Sequence, residues 1–171
     1  LAPGSSYSVT INSQPSGQIC EIQNSSGSVD TENITDIMVT CRKAYSVGGT
    51  INGLNNMPIE LKNASEILSV SKNGDFSFAT LQLPGSAYGV TIHNQPYGHL
   101  CTIANSSGTI EDQNVTDITV SCIDQRHTIG GTVTGLGDEE LKVYLNSRET
   151  ITIEENGAFT FKRLLAPDAY Y

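Results

Sequence analysis

The chain contains no tryptophan, four phenylalanines and two methionines. A core without large aromatics must be assembled from Ile, Val and Leu, and each packed unit must be small. Charge is also sparse: Asp, Glu, Lys and Arg make up 16% of the residues, against about 25% in a typical soluble domain. Nine basic residues face eighteen acidic ones, a formal net charge of -9. That balance lacks the positive face needed for nucleic acid or an anionic membrane surface, so neither is expected as a partner. It suits a soluble, self-repelling surface protein. No apolar run approaches the roughly 20 residues of a membrane span, so no membrane insertion is expected. No segment sustains a 3.6-residue apolar period, which excludes long amphipathic helices. Leu1 falls inside a repeated pattern rather than on a signal peptide, so the ends are expected to be cut from something longer or set by processing.

What the chain does contain is the same text twice. Tyr7 to Cys41 reads YSVTINSQPSGQICEIQNSSGSVDTENITDIMVTC, and Tyr88 to Cys122 reads YGVTIHNQPYGHLCTIANSSGTIEDQNVTDITVSC, an ungapped offset of 81. The intervening text recurs as well. Ser46 to Leu54 (SVGGTINGL) returns as Thr128 to Leu136 (TIGGTVTGL), and Ile67 to Phe78 (ILSVSKNGDFSF) as Thr150 to Phe161 (TITIEENGAFTF). The unit is therefore about 82 residues, the size of a small domain rather than of a solenoid rung. A domain this small is marginal on hydrophobic burial alone, which gives its cysteines a role.

Tyr7, Val9 and Ile11 alternate with Ser8 and Thr10, the period-two pattern of a half-buried strand. Gln14-Pro15-Ser16-Gly17 predicts a turn, with proline presetting φ and glycine accepting a positive value. Strands are expected at Ile19 to Gln23 and at Ile34 to Cys41, on either side of the Asn24-Ser25-Ser26-Gly27 turn. Further strands are expected at Gly49 to Gly53, Pro58 to Lys62 and Leu141 to Leu145. Asn73-Gly74 and Asn156-Gly157, flanked by alternating apolar residues, predict hairpins. Turns recur about every eight to twelve residues, the spacing of an all-β sandwich.

Cys20 shares a strand face with Ile22, and Cys41 with Ile37 and Val39; the second copy repeats this with Cys101 and Cys122. Inward cysteines on two strands, equally spaced in both copies, predict Cys20–Cys41 and Cys101–Cys122 disulfides. Each would close a loop of about twenty residues and contribute about 3 kcal/mol in the chain-entropy model. Zinc would call for close pairs such as C-x₂-C and redox chemistry for C-x-x-C, and neither spacing occurs. Disulfides imply an oxidising, extracellular or cell-surface location.

The order G-G-T-[IV]-x-G-L, an apolar strand, N-G-x-F-x-F, then L-x-L-P-G-x-x-Y-x-V-T-I resembles the transthyretin-like or CnaB-type sandwich of bacterial surface proteins. With the Q-P-x-G…C…N-S-S-G…T-D-I-x-V-[TS]-C half added, it is similar to tandem Ig-like repeats of large bacterial secreted proteins. The resemblance covers essentially the whole chain and implies tandem Ig-like or transthyretin-like β-sandwich repeats. Many CnaB domains carry a Lys–Asn isopeptide bond. Gly49 to Gly53 has no lysine to supply one, and Lys62 has no lysine counterpart near Asn146 or Ser147, so that bond is not carried over.

Catalysis and cofactors are not expected. His93 and His99 stand where the first copy has Asn12 and Gln18, and with His127 they read as surface turn residues outside any triad. Gly137-Asp138-Glu139-Glu140 lacks the ligand ladder of a calcium loop and reads as a solvated turn, so no metal is expected. Asp36 and Asp117 recur in Thr-Asp-Ile and read as local turn or edge charges. A sugar platform would have to use Tyr97, Tyr144 or the Tyr88/Tyr170 positions, yet Tyr97 is Ser16 in the first copy and Tyr88 is in phase with core residues, so nothing supports carbohydrate binding. Five sequons start at Asn24, Asn33, Asn63, Asn105 and Asn114, and the turn positions Asn24 and Asn105 are the first candidates for glycosylation.

The sequence therefore reads as a structural segment of an extracellular bacterial stalk, fibre or filament, its partners further copies of itself joined head to tail. The alternative is an adhesin-type module recognising a protein or glycan through exposed loops. Residues 45–122 are expected to be one complete sandwich, residues 1–41 the C-terminal half of another, and residues 127–171 the N-terminal half of a further one. Arg42 to Tyr45 and Asp124 to His127 are the polar connectors.

Overall fold

The computed structural model describes residues 1–167 and 169, and among them every helix-or-strand element is a strand. Four short ones come first: β1 (Ser6–Ser8), β2 (Gln18–Gln23), β3 (Ser26–Ser28) and β4 (Met38–Lys43). The middle of the chain supplies β5 (Val47–Asn52), β6 (Ile59–Asn63), β7 (Glu66–Val70), β8 (Gly74–Ser77), β9 (Ala87–Asn94), β10 (His99–Ala104), β11 (Ser107–Thr109) and β12 (Val115–Asp124). The last are β13 (Gly130–Val133), β14 (Leu141–Leu145), β15 (Glu149–Ile153) and β16 (Gly157–Thr160). The fold is all-β, with several sheets.

β5 to β12 form two four-stranded sheets, ordered β10-β12-β5-β8 and β11-β9-β6-β7. Their apolar faces meet in one sandwich-like core, where Val47, Ile51, Leu61, Phe78, Ile118 and Val120 are fully or almost fully buried. Each such side chain contributes about 1.5–3 kcal/mol by leaving water. Phe76 and Phe78 meet edge to face with ring centroids 6.1 Å apart. β12 runs parallel to β5, whereas the other neighbours in both sheets are antiparallel. The parallel pair is tight: a Cβ built on Gly49 would fall on the Ile118 carbonyl oxygen, and one on Gly53 on the Cys122 carbonyl oxygen.

The Asn-Gly hairpins are not formed. β7 pairs with β6 and β8 with β5, so the chain crosses between sheets at Asn73-Gly74 instead of folding back on itself. A type I′ turn needs positive φ at both central residues, and only Gly74 has it, at 125°. Asn73 is committed elsewhere, its Oδ1 accepting the Leu54 N–H at 2.9 Å. Asn156 makes the same bond with Leu136 at 2.8 Å.

Strand length follows the partner rather than the local sequence. β9 has eight residues and its sequence twin β1 three; β12 has ten and β4 six. The second half of β9, from Val90 to Asn94, is held by β6, and the early part of β12 by Val47 of β5. Neither partner exists beside the first copy among the described residues. The strand expected from Ile34 therefore starts only at Met38, and β4 and β12 continue through Lys43 and Asp124, into the expected connectors.

Candidate functional site

The first copy presents its inner face to solvent. Val39 is 55% exposed and Val9 39%, whereas their twins Val120 and Val90 are 0% and 2% exposed in the central core. Tyr7, Val9, Val29, Ile34 and Ile37 line an open groove. Their twins Tyr88, Val90, Ile110, Val115 and Ile118 pack inside the central unit. Cys41, expected to face inward, is exposed, whereas its partner Cys20 is buried.

At the other end, β13 pairs only with β16, and β14 only with β15, among the described strands. The twins of β13 and β14 are β5 and β6, which have β12 and β9 on their other sides. Leu145, Phe161 and Leu165 form a small core with Val143, Ile151 and Phe159 around it. On either side of the central unit the described strands thus form separate two-stranded pairs with open edges.

The side chains common to both copies hold backbone. Gln14 Nε2 donates to the Cys20 carbonyl at 3.1 Å and its Oε1 accepts the Cys20 N–H at 2.7 Å; Gln95 repeats both bonds at Cys101, at 3.1 and 3.0 Å. Asn24 Nδ2 donates to the Asp36 carbonyl at 2.9 Å, and Asn105 Nδ2 to that of Asp117 at 3.1 Å. Asn24 and Asn105 adopt positive φ, 52° and 54°, which explains Asn at these turns. Tyr7 and Tyr88 lay their rings against Gly27 and Gly108, where an added Cβ would come within 3.0 and 2.8 Å of the tyrosine side chains.

Glu66 holds the segment after β8, its Oε1 and Oε2 accepting the N–H groups of Ala79 and Thr80 at 2.8 and 2.9 Å. Glu149 does the same for Lys162 and Arg163, both at 2.8 Å. Burial opposes ionisation of Glu66, but the Thr80 side chain and the two N–H donors outweigh it, holding its carboxyl below the usual glutamate range. A depressed folded-state pKa stabilises above the unfolded value and is lost as pH falls through the folded one. Glu66→Gln is therefore expected to cost about 1 kcal/mol at neutral pH. The difference should shrink in acid. Urea midpoints for the two proteins at neutral pH and at about pH 2 check this, and an undiminished difference in acid counts against it.

Cys20–Cys41 and Cys101–Cys122 are both disulfides, each 21 residues apart in sequence, and no described cysteine is free. The pairs are directly opposed across β2–β4 and β10–β12, so each bridge joins neighbours within one sheet. Two disulfides are the mark of an oxidising compartment. His93 and His127 are exposed, but His99 is buried on β10, its Nδ1 3.1 Å from the Tyr97 carbonyl oxygen. It is not the surface turn residue expected: it lies in β10, paired with Asp124 of β12. Asp124, opposite His99, is gripped by the Arg126 guanidinium at 2.6 and 2.8 Å and by the Arg126 N–H at 3.0 Å. Those bonds hold its carboxyl well below the usual carboxylate range.

Asn63 is buried, accepting the Gly89 N–H at 3.3 Å, so its sequon is closed to a glycan in the folded chain. Asn24, Asn33, Asn105 and Asn114 are exposed, as are Asp138, Glu139 and Glu140. Among the described residues no three His, Cys, Asp or Glu side chains gather to hold a metal. Tyr144 is exposed, and the Tyr97 hydroxyl lies 3.5 Å from the Ala166 N–H; Tyr170 lies outside the described residues. The repeated Gln and Glu braces were missed from sequence, although their recurrence at fixed positions beside each Cys and Phe pair was the available signal. No family model matches this chain, and neither does any curated protein or solved structure.

Proposed function

We propose that the chain is a structural segment of an extracellular bacterial stalk, fibre or filament. It is built from Ig-like or transthyretin-like sandwich repeats of about 82 residues joined head to tail. The observation that carries this reading is what the shared residues do. Gln14 and Gln95, Asn24 and Asn105, Glu66 and Glu149 all bond to backbone of their own unit. What the copies have in common is scaffolding, while turn positions such as Ser16 and Tyr97 differ. A cross-strand disulfide in each copy supports service outside the cell, where a small core needs reinforcement.

A broad-specificity protease acting on the oxidised chain checks this reading. A resistant fragment close to Tyr45 to Ile123 is expected, since that span contains both central sheets. Survival of Leu1 to Gln82 instead would move the repeat boundary by half a period. Screening the same chain against glycans and host-surface proteins should give no saturable binding. A specific complex through the turn residues would replace the stalk with the adhesin reading.

A further inference from the structure

We propose that the open edges of the C-terminal half are completed by the N-terminal half of a second copy of this chain. β4 of that copy adds in parallel beside β13, and its Tyr7–Ile11 segment adds antiparallel beside β14. The proposal rests on the head-to-tail reading above and specifies its contact.

The central unit supplies the template. There β12 lies beside β5 with Ile118 opposite Gly49 and Val120 opposite Ile51, and β9 beside β6 with Ile92 opposite Leu61 and Thr91 opposite Lys62. Carried to the twin positions, Ile37 faces Gly131, Val39 faces Val133, Ile11 faces Val143 and Thr10 faces Tyr144. The alternation of buried and exposed residues then falls correctly on all four strands, which a one-residue slip would reverse. The exposed Val9 and Val39 would enter a core with Val133, Val143 and Phe161, as Val90 and Val120 do with Ile51, Leu61 and Phe78.

Gly131 is an independent pointer. Its twin Gly49 has no side chain because the Ile118 carbonyl of β12 occupies that space. Beside Gly131 there is no such strand, and a Cβ there would meet only the Phe159 ring, at 3.0 Å. Glycine within a strand weakens it. A glycine within a strand is one mark of another backbone in close approach, and Ile37, the residue just before β4 of a docked copy, would supply it. Within one chain the two halves share no strand pairing among the described residues. The contact joins two different faces and is therefore heterologous.

The full chain tests this by sedimentation over a concentration series up to the order of 1 mM, where even weak specific contacts populate. A head-to-tail ladder of oligomers is expected. Val39→Asp, exposed in the single chain, should leave the chain folded and weaken association about a hundredfold or more, because docking would bury an unpaired charge. Two single variants, Thr10→Cys and Tyr144→Cys, are then mixed and treated with a short bis-maleimide. A link between positions 10 and 144 of different copies is expected. A monomer throughout the series, association indifferent to Val39→Asp, or a link of position 10 to position 10 would each overturn the contact. None of those results bears on the protease and ligand tests of the stalk reading, whose failure is read separately.

Discussion

Gly49→Ala is expected to unfold the central unit or bring it close to unfolding, while Gly131→Ala is nearly silent in the single chain. The two glycines occupy twin positions in Gly-Gly-Thr, so local propensity predicts the same outcome for both. Context separates them. A methyl at Gly49 lands on backbone, the Ile118 carbonyl, and backbone in the middle of a four-stranded sheet cannot swing aside. Relieving the overlap means prying β12 from β5, for a cost of about 3–5 kcal/mol out of a typical domain stability of about 5–15. At Gly131 the methyl meets the edge of the Phe159 ring, which can turn away, and the cost should stay below about 1 kcal/mol. Amide exchange of β5 and β12 reads the first effect site by site, and that of β13 and β16 the second. Equal losses at the two sites would show that strand pairing is not what distinguishes them.

The second large effect concerns the bridges. Removing Cys101–Cys122 by double alanine substitution should cost the central unit about 3 kcal/mol, from the entropy of the loop it closes. The bridge in the first copy closes a loop of the same length but stands in a strand pair with one open face. Access to reductant should differ accordingly. Cys101 and Cys122 are both buried in the central core, whereas in the first bridge only Cys20 is buried and Cys41 is exposed. Mild reduction of the folded protein followed by alkylation should label Cys20 and Cys41 first, and the other two only after denaturant is added. Simultaneous labelling of all four would mean that burial does not govern their reduction.

Much of this architecture was legible because it is written in short-range pattern. Leu141 to Leu145 is a strand over the expected residues, and the alternation that put Cys101 and Cys122 on the apolar face placed them correctly. Legibility failed where a residue's role depends on a distant strand. Ile34 to Ile37 has the same alternation as Val115 to Ile118, yet only the latter has β5 beside it. Asn73-Gly74 has hairpin composition but is bent into a corner by the Leu54 N–H, nineteen positions away. His99 reads as a turn residue because the strand it pairs with is contributed from beyond Val115. Which residues stand exposed was not legible, since the exposure of Val39 or Cys41 is a property of what is missing opposite.

The parallel pairing of β5 with β12 has a mechanical meaning. The chain enters the central unit at the start of β5 and leaves at the end of β12, and these points lie at opposite ends of one strand pair. Tension carried along a linked array would pull the two strands lengthwise past each other. All the bonds between Val47 and Asn52 on one side and Val115 and Ser121 on the other would bear load together, in shear, instead of parting one at a time as in an unzipping hairpin. If the pair did slip, the Cys101–Cys122 bridge would still hold back the segment between its ends, roughly 70 Å of extended chain at about 3.3–3.6 Å per residue. A unit wired in this way yields late, and once it yields only the stretch between Cys101 and Cys122 stays closed.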